Sequence, residues 1–125
     1  MKSHLNLIVL ALLAGACLFG LNSTSAQAEN IAKMLDDSGI EPESLSLMQD
    51  AAKALYTAQK KSVGDAKDWT NTATGTSGKV EIVGLKNDCV QLFHSLEVAR
   101  PSKVTEISVW RCRTSSGDWQ LTASP

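Results

Sequence analysis

The stretch CVQLFHSLEVARPSKVTEISVWRC runs from Cys89 to Cys112 and decides how the chain folds. In its first arm Val90, Leu92, His94, Leu96 and Val98 alternate with Gln91, Phe93, Ser95 and Glu97. Arg100-Pro101-Ser102 breaks the pattern, and Val104 to Arg113 is again extended and rich in Val, Ile, Thr and Trp. Alternation with β-branched and aromatic enrichment reads as two strands, and the proline between them as a turn. A hairpin turning between Arg100 and Pro101 sets Cys89 directly opposite Cys112. Facing residues of an antiparallel pair are about 4.5–5.5 Å apart at Cα, and a disulfide tolerates about 4.4–6.8 Å. The same register pairs Leu92 with Val109, His94 with Ile107 and Leu96 with Thr105, which gathers a mostly apolar stripe on one face. Thiol placement and hydrophobic face agree on one register. A bridge closing this loop is worth about 3 kcal/mol, a large share of the stability of a small domain.

Outward from the hairpin, Val80 and Ile82 alternate with Glu81 and Val83 to make a preceding strand, with Gly84 a possible continuation. Lys86-Asn87-Asp88 forms the turn into Cys89. After Arg113, Ser115-Ser116-Gly117-Asp118 turns the chain into a short last strand, Trp119 to Thr122. Further upstream the periodicity changes. Ile31 to Leu35 suits a short helix, stopped by Ser38-Gly39. Pro42 fits the first turn of a second helix, and Glu41 and Glu43 put negative charge at its positive end. Leu45, Met48, Ala52, Leu55 and Gln59 follow at spacings of three and four, apolar except the last, and so form one buried stripe. Lys60 and Lys61 close the expected last turn, and Val63-Gly64 ends it. The expected fold is α+β: an N-terminal helix or helix pair packed on a small antiparallel sheet of about four strands, stapled by one cross-strand disulfide.

The first 28 residues read as a leader. Lys2 and His4 precede an apolar run from Leu5 to Leu21, and Asn22 to Ala28 is small and polar, ending Ala26-Gln27-Ala28. This is the pattern of a secretory signal peptide with cleavage after Ala28. A membrane anchor would need about 17–25 apolar residues, which the run barely reaches. Lipidation at Cys17 would call for a large aliphatic residue at Ala14. The chain then divides into residues 1–28 as leader, 29–62 as a helical region and 63–125 as a β domain. Of three cysteines, Cys89 and Cys112 survive cleavage, and an even pair in an exported chain implies a bridge.

With 12 basic and 13 acidic residues, net charge −1, the 125-residue chain has no strongly basic face for nucleic acid and no polybasic patch for acidic lipid. His94 is the one histidine after the leader, and on an apolar face it reads as a core or edge residue before a catalytic base. Asp36, Asp37, Glu41 and Glu43 flank a helix stop and a helix start and read as solvated capping charge; no calcium-loop spacing occurs. No metal-protease, C-x-x-C or nucleophile-elbow motif is present. No cofactor, metal or catalytic residue is expected.

The segment DWTNTATGTSGKVEI, Asp68 to Ile82, hangs a long uncharged loop from Trp69. Its T-G-T-S-G run lacks the G-K-[ST] needed to cradle a phosphate. Two readings stand: a structural turn whose hydroxyls bond nearby backbone, or a recognition loop using Thr74, Gly75 and Ser77 beside Trp69. Trp110 falls on the face of the disulfide and Phe93, where it forms either a small second cluster or a binding surface. Trp119, in the last strand, is a further candidate for interaction.

Trp69-Thr-Asn followed by Thr74-Gly75-Thr76-Ser77-Gly78-Lys79-Val80 resembles the W-x-N-x-x-T-G-x-S-G-x-V signature of the 17 kDa outer-membrane surface antigen domain. Cys89 matches that family's first cysteine, and Cys112-Arg113 with Gly117-Asp118-Trp119 its second cysteine strand and closing turn. The resemblance covers about Val63 to Thr122. The chain departs from the family in having a helical region in place of a glycine-rich segment, and Val90-Gln91 where Arg-Glu commonly follows the first cysteine. It implies a non-enzymatic protein of the periplasm or outer membrane whose partner is an envelope protein or glycan, without strong membrane insertion once the leader is removed. A small inhibitor or accessory factor of a secreted or wall-acting enzyme is the other class that an exported, disulfide-stapled domain suits.

Overall fold

The structure is a computed structural model that describes residues 25–122 and 124–125. Residues 1–24, with most of the expected leader and Cys17, lie outside the described residues. Two helices, α1 (Ser25–Ser38) and α2 (Pro42–Tyr56), precede five strands: β1 (Ala66–Thr70), β2 (Ser77–Lys86), β3 (Cys89–Ala99), β4 (Ser102–Arg113) and β5 (Trp119–Thr122). The strands form one antiparallel meander in chain order. The fold is α+β, with both helices on one face of the sheet.

The β3–β4 hairpin has the expected register. Cys89 faces Cys112, Leu92 faces Val109, His94 faces Ile107 and Leu96 faces Thr105. Cys89 and Cys112 form a disulfide with an S–S distance of 2.08 Å and Cα atoms 4.0 Å apart. Val80, Ile82, Leu92 and Leu96 are fully buried beneath Met48, Ala52 and Leu55 of α2. Burying each large aliphatic side chain of this set contributes about 1.5–3 kcal/mol. Among the described residues, nothing covers the opposite face, where Phe93, Trp110 and the disulfide lie among polar side chains.

The sheet has five strands where the sequence suggested about four. The additional strand is β1, whose AKDWT buries only Trp69. An edge strand with one buried side chain carries no alternation to read. Its pairing nevertheless runs from Ala66 opposite Glu81 to Thr70 opposite Ser77. Between Ile82 and Gly84 the β2–β3 register shifts at a bulge, so Gly84 does not continue the face of Val80 and Ile82 but pairs with Gln91 on the opposite face, beside Trp110; Val83 is exposed.

Helix α2 begins at Pro42, with Glu41 extended at its N-cap, and Gly39 ends α1 at φ +75°, a conformation glycine adopts without penalty. The end of α2 comes earlier than expected. It stops at Tyr56, and Thr57 turns its hydroxyl back to the Lys53 carbonyl at 2.6 Å. Gln59, Lys60 and Lys61 therefore lie beyond the helix. Helix α1 covers Ser25–Ser38 and so runs across Ala28, the expected cleavage position. Its C-terminal end is held to the start of β4 by Lys103 Nζ, which donates to the Asp37 carbonyl at 3.0 Å.

Candidate binding site

The loop between β1 and β2 is organised from within. Asn71 N–H donates to the Thr76 carbonyl at 2.8 Å, Gly75 N–H to the Asn71 carbonyl at 2.8 Å, and Ala73 N–H to Asn71 Oδ1 at 3.1 Å. Buried Asn71 also donates through Nδ2 to Ser44 Oγ at 2.9 Å. Thr76, fully buried, donates to Glu41 Oε1 at 3.0 Å and accepts from Ala99 N–H at 3.3 Å. Ser44 donates to the other Glu41 oxygen at 2.8 Å. The loop thus clamps the first turn of α2 to the sheet through one carboxylate. Hydrogen bonds to Glu41, first from its own backbone N–H and then from Ser44 and Thr76, hold its pKa below the usual carboxylate value. Thr74 and Gly75, by contrast, are exposed at the tip, with Gly75 at φ +82°. Ser77 is half-buried at the start of β2.

The three tryptophans occupy different environments. Trp69 is buried on the helix-facing side with its ring over Gly78; a Cβ placed there would meet the ring at 2.5 Å. Trp110 is half-buried on the uncovered face and reaches across β3 to Gly84, where a Cβ would lie 3.3 Å from it. Trp119 is half-buried at the sheet edge. Its ring centroid is 5.2 Å from that of Tyr56, and Lys61 Nζ lies 5.6 Å over its face. The lysine expected to cap α2 thus sits on an aromatic ring instead.

One concavity lies between the layers. A cleft of about 440 Å³, partly open to solvent, is lined by α1, α2 and the helix-facing side of β3, β4 and β5. Its volume falls within the range typical of small-ligand pockets, about 300–1,000 Å³. Ile31, Leu35, Leu45, Met48, Ile107 and Val109 supply apolar wall, and His94 and Arg111 supply the polar groups on the sheet side. His94 is 6% exposed, and its Nδ1 is buried with no hydrogen-bond partner. Burial, and secondarily the positive charge of Arg111, push its pKa down to about 4, so the ring is neutral at ordinary pH. The Arg111 guanidinium lies 5.5 Å over the Tyr56 ring. No group of three or more His, Cys, Asp or Glu side chains gathers in metal-binding fashion among the described residues.

The sequence placed His94 on the apolar face but did not single out Arg111, Asn71 or Thr76. A legible signal existed for the clamp: Ser44, polar, stands one turn before Met48 beside the apolar stripe. Arg111 alternates with Ile107 and Val109 and so shares their face, which period-two reading could also have shown. No helix among the described residues is long and apolar enough to cross a membrane. In comparisons with known proteins, no protein-family model, no curated protein and no solved structure matches the chain.

Proposed function

We propose that the chain is an exported, non-enzymatic binding module of the cell envelope, acting in the periplasm or at the outer membrane after removal of residues 1–28. The Cys89–Cys112 bridge carries this reading, because structural disulfides persist in oxidising compartments. The leader-like start and the surface-antigen-like W-x-N-x-x-T-G-x-S-G-x-V run support it. So does the placement of the one histidine outside the leader: His94 lies between Val80 and Ile107 in the sheet with its Nδ1 unpartnered, a poor setting for a general base. The partner is an envelope protein or glycan, met by the exposed Thr74-Gly75 tip or by the uncovered sheet face around Trp110.

Export and recognition are tested together. A photo-crosslinker is placed at Thr74 in one variant and at exposed Ser108 in another, and cells are fractionated before irradiation. The expected result is oxidised protein outside the cytoplasm, shortened by the leader, with one dominant adduct from one of the two positions. Reduced protein in the cytoplasm sinks the export reading. Oxidised, folded protein without an adduct at either position sinks the binding-module reading.

A further inference from the structure

We propose that the cavity between the helices and the sheet binds a small amphipathic carboxylate, its apolar tail among Leu35, Leu45 and Ile107 and its head at Arg111 and His94. The site is separate from the two surfaces proposed for recognition, because neither the Thr74-Gly75 tip nor Trp110 lines it.

Three observations converge on this ligand. The first is the wall: apolar side chains from both helices and from β4 surround a space large enough for a molecule rather than a single water. The second is the unpartnered Nδ1 of His94, which is more than nine-tenths buried. Buried polar side-chain atoms are paired in the large majority of cases; His94 lines the cavity, and a turn of its ring brings the orphan atom to a ligand there. A neutral imidazole carrying its proton on Nδ1 donates to a carboxylate oxygen. The third is the charge distribution. Arg111 is a cation on the sheet wall, close enough for His94 to sense its charge. The carboxylate Asp36 also lines the cavity. It neighbours Asp37, whose carbonyl is held by Lys103 at the opposite end of β4 from Arg111. The cavity is therefore polarised, positive towards Arg111 and negative towards Asp36, which orients an anionic head and an apolar tail in one direction. A planar guanidinium matches a carboxylate in two-point geometry. The bound anion would offset the Arg111 charge that disfavours protonated His94.

The test uses the purified, oxidised protein and two probes of equal chain length, decanoate and decanol, followed by calorimetry and by NMR of the His94 ring. Decanoate is expected to bind saturably, to move the His94 ring resonances, and to bind about tenfold or more tighter than decanol. Arg111→Gln is expected to remove that preference, and Arg111→Lys to retain most of it. Leu45→Trp, which fills the cavity from α2, is expected to abolish binding of both probes; circular dichroism verifies that each variant remains folded. The proposal is overturned if decanoate fails to bind the wild-type protein, or binds no better than decanol. It is equally overturned if decanoate binds while the His94 resonances stay in place. None of these results depends on where the protein resides or on its envelope partner.

Discussion

Two tryptophans lie over two glycines of one strand, Trp69 over Gly78 on the helix side and Trp110 against Gly84 on the other. At Gly78 a methyl group would meet the Trp69 ring at 2.5 Å and the Ser95 carbonyl at 2.8 Å, and neither a buried ring nor ladder backbone yields easily. Gly78→Ala is therefore expected to destabilise the protein by about 1–3 kcal/mol, read as a lower urea midpoint with unchanged slope. His94 has a different signature. Its folded pKa, about 4, lies below its ordinary 6.5, so the unfolded chain takes up the proton first as pH falls. The stability associated with a neutral ring is complete above 6.5, is lost as pH drops towards about 4, and then levels off. The loss attributable to this group is about 2–3 kcal/mol. Comparing wild type with His94→Gln at pH 7.5 and pH 4.5 isolates it: the wild type should lose that much more stability than the variant. Equal losses would mean that the ring is hydrated in solution.

At the scale of elements, the hydrogen-bond clamp joins α2 to the sheet. Asn71→Ala leaves buried Ser44 Oγ without its Asn71 donor and removes the Asx turn at Ala73; it is expected to cost about 1–3 kcal/mol, measured by thermal or urea unfolding. A value near zero would mean that the loop does not hold the helix. The elements differ in how openly the sequence displayed them. The β3–β4 hairpin was legible because the cysteines and the apolar stripe independently selected the same register. Helix α2 was legible at its start, where proline and acidic residues coincide, and misread at its end. Lys60 and Lys61 have the charge that a helix terminus favours, but Thr57 competes locally by bonding the Lys53 carbonyl. Strand β1 was hidden because Ala66, Lys67, Asp68 and Thr70 are all exposed, leaving pairing with β2 as its main organising force. Of the candidate site, the face occupied by His94 was readable, whereas the cavity was not. Its existence depends on where α1 settles over β4, and no local period encodes that distance.

At the scale of the whole molecule, the two helices are attached with unequal strength. Helix α2 buries Met48, Ala51, Ala52 and Leu55 and is tied down by Asn71 and Thr76. Among its described side chains, helix α1 contributes partly buried Ile31 and Leu35 to the core, and Lys103 joins it to the sheet by an exposed hydrogen bond. Local opening follows buried contact and protected hydrogen bonding, so α1 should lift from the sheet while α2 and the β3–β4 hairpin remain closed. Native-state hydrogen exchange is expected to show the slowest amides at the centre of β3 and β4, intermediate protection in α2 and the fastest helical exchange in α1. Because Ile31, Ala32, Leu35 and Asp36 all line the cavity, such opening is also a route into it. Saturating decanoate should then slow exchange in α1 selectively, since a ligand that binds only the closed form suppresses opening in proportion to its occupancy. If α1 instead exchanges as slowly as β3, opening requires global unfolding. Decanoate would then slow exchange in α1 and in β3 by the same factor, with no selective effect on α1.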